Sequence, residues 1–182
     1  SLQLSDDDRG ANCVVSGAIG DRIKNFDNMG SCLSPEYEAG NGGVAQDFTN
    51  GRAYWHPRTG PQFVWGRIGA RYHEVGGPSS PLGYPKTSEM ATPDGHGRYV
   101  HFEHGSIYWT HETGAYLVMG DFMNLWGNEG WEKGRLGYPT SDRRDIPGGV
   151  VQDFQGGQIV KPTAGEPQIV LGAIGAAYRA GG

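Results

Sequence analysis

The hydrophobic pattern along the chain alternates between two periods. Short runs with a two-residue repeat, Val44-Ala45-Gln46-Asp47-Phe48 and Arg52-Ala53-Tyr54-Trp55, flank the segment Thr49-Asn50-Gly51. They predict strand, tight turn, strand, with glycine supplying the backbone conformation that such a turn needs. A third short strand is expected at residues 61–65 and 115–119, after the Thr-Gly turns. The period then changes. Ile19, Ile23 and Phe26, and again Ile68, Tyr72 and Val75, fall at i, i+4, i+7, while Phe122, Leu125 and Trp126 fall at i, i+3, i+4. Each set is one apolar stripe on a short helix. Gly76-Gly77 reads as a helix stop.

These elements recur. Phe48-Thr49-Asn50-Gly51-Arg52-Ala53-Tyr54-Trp55 returns 54 positions later as Phe102-Glu103-His104-Gly105-Ser106-Ile107-Tyr108-Trp109, and weakened after a further 52 as residues 154–161. Leu82-Gly83-Tyr84-Pro85 returns intact as Leu136-Gly137-Tyr138-Pro139. A Gly-x-apolar marker opens each helix at Gly17, Gly66, Gly120 and Gly172, at intervals of 49, 54 and 52. Three markers keeping one period describe an α+β repeat protein whose units, of about 54 residues, each hold a β-hairpin, a short helix and a Leu-Gly-Tyr-Pro turn. Units this small bury little by themselves and must cover one another's faces. The expected division of a single domain, residues 1–182, is a divergent first unit at about 13–43, full units at 44–97 and 98–149, and a third hairpin with a truncated end at 150–182. Because both ends fall within a unit, the terminal pieces are expected to pack near each other, and the array can be open or closed into a propeller- or pinwheel-like ring.

Composition narrows the class. Glycine and proline, 32 and 11 of 182 residues, approach the range of low-complexity chains, but 20 aromatics supply the apolar area that disordered chains lack. A net charge of −5 with no basic cluster removes nucleic acid as an expected partner. No run of apolar residues is long enough for a membrane span, and no signal peptide is expected at Ser1, where no apolar core follows. Cys13 and Cys32 lie 19 apart. A disulfide there would be worth roughly 3 kcal/mol by loop closure; two free buried thiols are the alternative.

The Leu-Gly-Tyr-Pro turn, its Gly-Gly spacer, the Gly-x-Ile-x-x-x-Tyr helix and the aromatic hairpin together resemble the LGFP (Leu-Gly-Phe-Pro) repeat of actinobacterial cell-envelope proteins, from about Val44 to the C-terminus. The resemblance implies a non-catalytic, extracytoplasmic module, appended to or associated with an envelope enzyme such as a mycolyltransferase. It implies binding to wall polysaccharide, arabinogalactan or peptidoglycan glycan. Tyr84 and Tyr138 stand where the family has Phe, and Cys32-Leu33-Ser34-Pro35 stands as a divergent first tetrapeptide, which a disulfide to Cys13 would staple.

The candidate ligand-binding residues are Tyr54, Trp55, Tyr108, Trp109, Trp131, Asp47 and Asp153. Flat rings cover the apolar C–H faces of sugars while polar neighbours bind hydroxyls. Neighbours in a strand point to opposite faces, so one ring of each Tyr-Trp pair is expected in the core; packing between repeats is the competing use of both pairs. Trp126 belongs to a helix stripe, whereas Trp131 lies in a polar loop and is the expected exposed platform. Asp47 and Asp153 occupy one hairpin position, each after a Gln, and either bind sugar hydroxyls or face water as turn groups; His101 replaces them in the middle copy, and the third hairpin has Val160-Lys161 in place of Tyr-Trp. Arg58 and Glu112 are weaker candidates. His101 and His104, three apart, fall on opposite strand faces, so no metal and no cofactor are expected. Neither Gly-x-Ser-x-Gly nor His-Glu-x-x-His occurs, and the distinctive residues recur with the repeat, which favours multivalent binding over a catalytic centre. A protein-interaction scaffold for an envelope enzyme is the alternative reading, and a hydrolase the third.

Overall fold

The computed structural model describes residues 13–23 and 28–172. It is dominated by sheet. Three antiparallel meanders run β1 (Tyr37–Gly40), β2 (Gly43–Phe48), β3 (Gly51–His56), β4 (Gly60–Trp65); then β5 (Met90–Ala91), β6 (Gly97–His101), β7 (Gly105–Thr110), β8 (Gly114–Met119); then β9 (Arg144–Ile146), β10 (Gly149–Phe154), β11 (Gly157–Pro162), β12 (Gln168–Leu171). Helix α1 (Gly17–Ile23) precedes the first sheet, α2 (Gly66–Glu74) follows it, and α3 (Gly120–Asn128) follows the second. The expected hairpin and third strand are present, and each sheet gains a fourth, edge strand, β1, β5 or β9. These strands are short and exposed, which is why no alternating pattern announces them. Each of the three sheets is open, and none closes into a barrel among the described residues. Phe26, the marker helix after Gly172 and the terminal pieces invoked for ring closure lie outside the described residues.

The chain divides into two compact units, Ser1–Met90 with Val100–His104, and Ala91–Tyr99 with Gly105–Gly182. In the first, alternation along the strands sends Phe48, Ala53 and Phe63 to one face, where they pack with Ile19 of α1 and Met29. Tyr54 points to the other face, and its ring meets that of Tyr72 of α2 at 5.1 Å, edge on. Tyr72 also packs against Phe102 at 4.5 Å and donates its hydroxyl to the Gly83 carbonyl at 2.6 Å. The second unit repeats this with a different ring. Trp126, six residues after the helix-opening glycine as Tyr72 is, meets Tyr108 at 4.7 Å, packs against Phe154 at 5.5 Å and donates Nε1–H to the Gly137 carbonyl at 3.0 Å. Tyr72 and Trp126 are wholly buried. A single helical aromatic therefore ties its own hairpin to the next tetrapeptide and to the next Phe-x-x-Gly turn.

The tetrapeptide is the matching half of that joint. Leu82 and Leu136 are buried; Gly83 and Gly137 adopt φ of 76° and 70°, with no room for a Cβ beside Glu103 and Gln155. The following N–H groups, of Tyr84 and Tyr138, donate to Glu103 Oε1 (2.9 Å) and Gln155 Oε1 (3.0 Å), and the backbone closes the joint through Glu103 N–H to Tyr84 O and Gln155 N–H to Tyr138 O. Pro85 and Pro139 then bridge to Phe102 and Phe154. In the first copy the same bonds run from Ser31 N–H to Thr49 Oγ1 (2.9 Å), Thr49 N–H to Ser31 O and Asn50 N–H to Met29 O, and Cys32 bridges to Phe48. The divergent tetrapeptide is thus Met29-Gly30-Ser31-Cys32, with Gly30 at φ 79°, and not Cys32-Leu33-Ser34-Pro35 as the proline suggested. Cys32 occupies the proline position and is disulfide-bonded to Cys13.

Tyrosine in place of phenylalanine also has a structural reason. The Tyr84 hydroxyl donates to the Gly40 carbonyl, and that of Tyr138 reaches Thr92 Oγ1 at 2.9 Å and Asp94 Oδ1 at 3.0 Å. The Tyr84 ring fills the space where Gly43 has no side chain.

A Cβ at position 43 would overlap the Tyr84 ring, so Gly43→Ala is expected to destabilise by about 2 kcal/mol or more. Tyr84→Ala alone costs about 3–5 kcal/mol, and in that background Gly43→Ala costs under about 1 kcal/mol. Denaturant unfolding of the four chains reads this coupling. Glu103 supplies a second prediction. Its carboxyl is held below the ordinary range, first by the Arg58 hydrogen bond and then by the Tyr84 N–H, so it stabilises above pH 4.5, and that stabilisation is lost as pH falls through the lowered folded value. Glu103→Gln keeps the N–H acceptor, as Gln155 does naturally. Its acid unfolding profile should be flatter below that pH, by under about 1 kcal/mol because Arg58 is largely exposed.

Candidate recurring cleft

Beside the first hairpin turn lies a cleft of about 360 Å³, walled by Leu33, by the turn from Asp47 to Arg52, by Val64 and Trp65 at the end of β4, and by α2. It is open because α2 presents Gly66, Gly69 and Ala70 to it, residues too small to fill the gap. Tyr54 lines its floor. Asp47 and Arg52 are cross-strand partners in the β2–β3 register, and Arg52 Nε donates to Asp47 Oδ1 at 2.6 Å. The Tyr37 hydroxyl, from the edge strand, donates to the same oxygen at 2.6 Å. Arg52 Nη1 lies 2.9 Å from His73 Nδ1; a guanidinium only donates, so the imidazole nitrogen accepts. Burial first, and the bond to Asp47 second, push the Tyr37 phenol well above its ordinary range. Both members of the ion pair remain about a third exposed to solvent.

A second cleft, of about 280 Å³, lies beside the third hairpin turn and is built from the same positions. Thr140 stands for Leu33, Asp153 for Asp47, Phe154 for Phe48, Gln155 for Thr49, Gly157 for Gly51, Gln158 for Arg52 and Gly172 for Gly66. Asp153 and Gln158 are again cross-strand partners, with Gln158 Nε2 donating to Asp153 Oδ1 at 2.8 Å. Arg144 on the edge strand β9 donates Nη1–H to Asp153 Oδ2 at 2.8 Å. The main chain at both acids is anchored alike: Asp47 N–H donates to Ser34 Oγ and Asp153 N–H to Ser141 Oγ, each at 3.0 Å.

The preceding glutamines do not share the clefts. Gln46 and Gln152 are fully buried, and their amides donate to the Ser34 and Ser141 carbonyls, holding the loop that anchors the acid. Tyr54 and Tyr108, 3% and 4% exposed, cannot serve as stacking platforms, because strand alternation turns them onto Tyr72 and Trp126. Trp55 is half-buried against the Ile19 and Met29 cluster; Trp109 is half-buried too. Their counterpart Lys161 bonds Asp121, in the first turn of α3, at 2.5 Å. In the first and third copies this strand position is therefore used for packing against a preceding helix. Trp131 is 44% exposed. Its φ is +54°, where the first copy has Gly77 at +60°, and its indole lies against Gly127. Arg58 pairs with Glu103 and Glu112 with His96. Among the described residues no group of three or more His, Cys, Asp or Glu is arranged to hold a metal, and no helix is long and apolar enough to cross a membrane.

Sequence reasoning reached Asp47 and Asp153 but not Arg52, Trp65, His73, Arg144 or Gln158. The register of a tight hairpin could have supplied two of these, since the residue five after the acid lies directly across from it.

The sequence model described as LGFP repeat matches this chain three times, over residues 29–80, 82–134 and 136–182. Each match opens at a tetrapeptide, including the one beginning at Met29. No curated protein matches the chain.

Asp47→Asn removes the charge that helps to hold the Tyr37 proton, so ultraviolet difference titration should show one tyrosine ionising at lower pH than in the wild type. An unchanged tyrosine titration would contradict the Tyr37–Asp47 geometry.

Proposed function

Because the chain belongs to the LGFP repeat family, three copies of which cover most of its length, we propose that it is a non-catalytic module of the cell envelope that holds wall polysaccharide, arabinogalactan or peptidoglycan glycan, in its recurring clefts. The observation that carries the reading is the pair of clefts built from equivalent positions around Asp47 and Asp153. Repetition of a polar, solvent-open cleft along a chain suits a ligand that is itself a repeating polymer, with retention rising from the number of contacts. Among the described residues each cleft is lined by one carboxylate, whereas the ordinary route of glycoside hydrolysis needs two, which favours binding over turnover. The Cys13–Cys32 disulfide fits an oxidising, extracytoplasmic location. Trp131, exposed on a backbone conformation that costs an indole-bearing residue about 1–2 kcal/mol relative to glycine, is a candidate accessory platform.

Pull-down with purified wall polysaccharide tests the proposal. The wild-type chain should be retained, and the double variant Asp47→Ala, Asp153→Ala should lose most of that retention while unfolding within about 1 kcal/mol of wild type, since both acids sit in part-exposed pairs. Absence of wild-type retention on arabinogalactan and on peptidoglycan overturns it.

A further inference from the structure

The two clefts keep one constellation by different means. Each holds one carboxylate, one guanidinium and one neutral donor around the acid. In the first copy the guanidinium comes from β3, Arg52, and the neutral donor from the edge strand, the Tyr37 hydroxyl. In the third copy the positions are exchanged: the edge strand supplies the guanidinium, Arg144, and the hairpin partner supplies the neutral amide, Gln158. Part-exposed ion pairs of this kind add little to stability, so the fold has small need of the set. The main-chain anchor, by contrast, is present in all three copies, because His101 N–H donates to Thr87 Oγ1 at 3.1 Å just as the two acids' N–H groups donate to serine. Anchor and acid are separable: the anchor is architecture, and the acid with its cation is an addition. At the equivalent positions the middle copy has Met90, His101 and Ser106, with neither carboxylate nor guanidinium.

Resting on the glycan-binding reading above, we infer that the clefts at Asp47 and Asp153 are paired sites for neutral, hydroxyl-rich sugar residues and that the middle copy lacks this specificity. A carboxylate accepts and a guanidinium donates, so adjacent hydroxyls on one ring can satisfy both at once. The paired charges cancel. An anionic sugar meets Asp47 or Asp153 as a like charge, and an amine meets Arg52 or Arg144 in the same way, which leaves a neutral diol as the complementary ligand. Trp65 adds a flat wall to the first cleft only, making it the tighter of the two.

The test is an NMR titration of the whole chain with a neutral oligosaccharide cut from arabinogalactan, against a polyuronate of similar length. Saturable shifts are expected at the amides of residues 47–52 and 153–158, absent at 101–106, and weaker by about tenfold or more with the polyuronate. Asp47→Asn should abolish the first set alone and Asp153→Asn the second alone, with His101→Ala changing neither. Arg52→Gln should weaken the first site about tenfold, and Tyr37→Arg added to it, which rebuilds the third copy's arrangement, should restore binding. Equal response at residues 101–106, equal binding of the polyuronate, or failure of that restoration overturns the inference while leaving the glycan-binding reading in place. No response to either sugar, together with no retention of the chain on wall polysaccharide, removes both.

Discussion

The joint on which the architecture depends is the buried aromatic ring carried by α2 and by α3. Tyr72 and Trp126 differ in size and chemistry, yet each packs on a hairpin tyrosine, reaches the phenylalanine of the following turn and donates its polar hydrogen to the carbonyl of the tetrapeptide glycine. A repeat of about fifty residues buries too little to stand alone. This ring supplies the missing contact, because it satisfies one copy's sheet and the next copy's turn together. The tetrapeptide completes the joint: Gly83 and Gly137 present their carbonyls to the rings from a positive-φ backbone where a Cβ would meet Glu103 or Gln155, and the next N–H is met by Glu103, Gln155 or, in the first copy, Thr49.

Once the turns are fixed so rigidly, the surface beside them is free to vary. The first cleft arises where α2 begins on small residues, next to a hairpin turn already held by the tetrapeptide. Neither Asp47 nor Asp153 is needed for that geometry, since His101 takes the same anchored place. The chemistry of the cleft walls is thus written onto positions whose backbone is anchored alike in all three copies.

Much of the fold was legible in the sequence because period and turn chemistry carry it. The switch from two-residue to helical spacing located the hairpins and helices, and the recurrence of Gly-x-apolar and Leu-Gly-Tyr-Pro gave the unit length. The edge strands were not legible: Tyr37–Gly40, Met90–Ala91 and Arg144–Ile146 bury too little to alternate. Pro35 points to a first tetrapeptide three residues too late, because Cys32 and not a proline makes the bridge to Phe48. At the candidate site the acids were found from their recurrence. Their partners were not, since Arg52 aligns with Gln158 and Tyr37 with Arg144, an exchange that looks like divergence although each pair surrounds the aspartate of its own copy. The aromatic pairs misled for a related reason. Large rings recurring with the repeat are as valuable to the joint as to a ligand, and Tyr54 and Tyr108 belong to the joint.

The most direct measurement is a crystal structure of the chain with a bound neutral wall oligosaccharide. The account predicts sugar density in both clefts, with ring hydroxyls shared between Asp47 and Arg52 in one and between Asp153 and Arg144 in the other. Sugar bound elsewhere, with neither aspartate in contact with it, would contradict it.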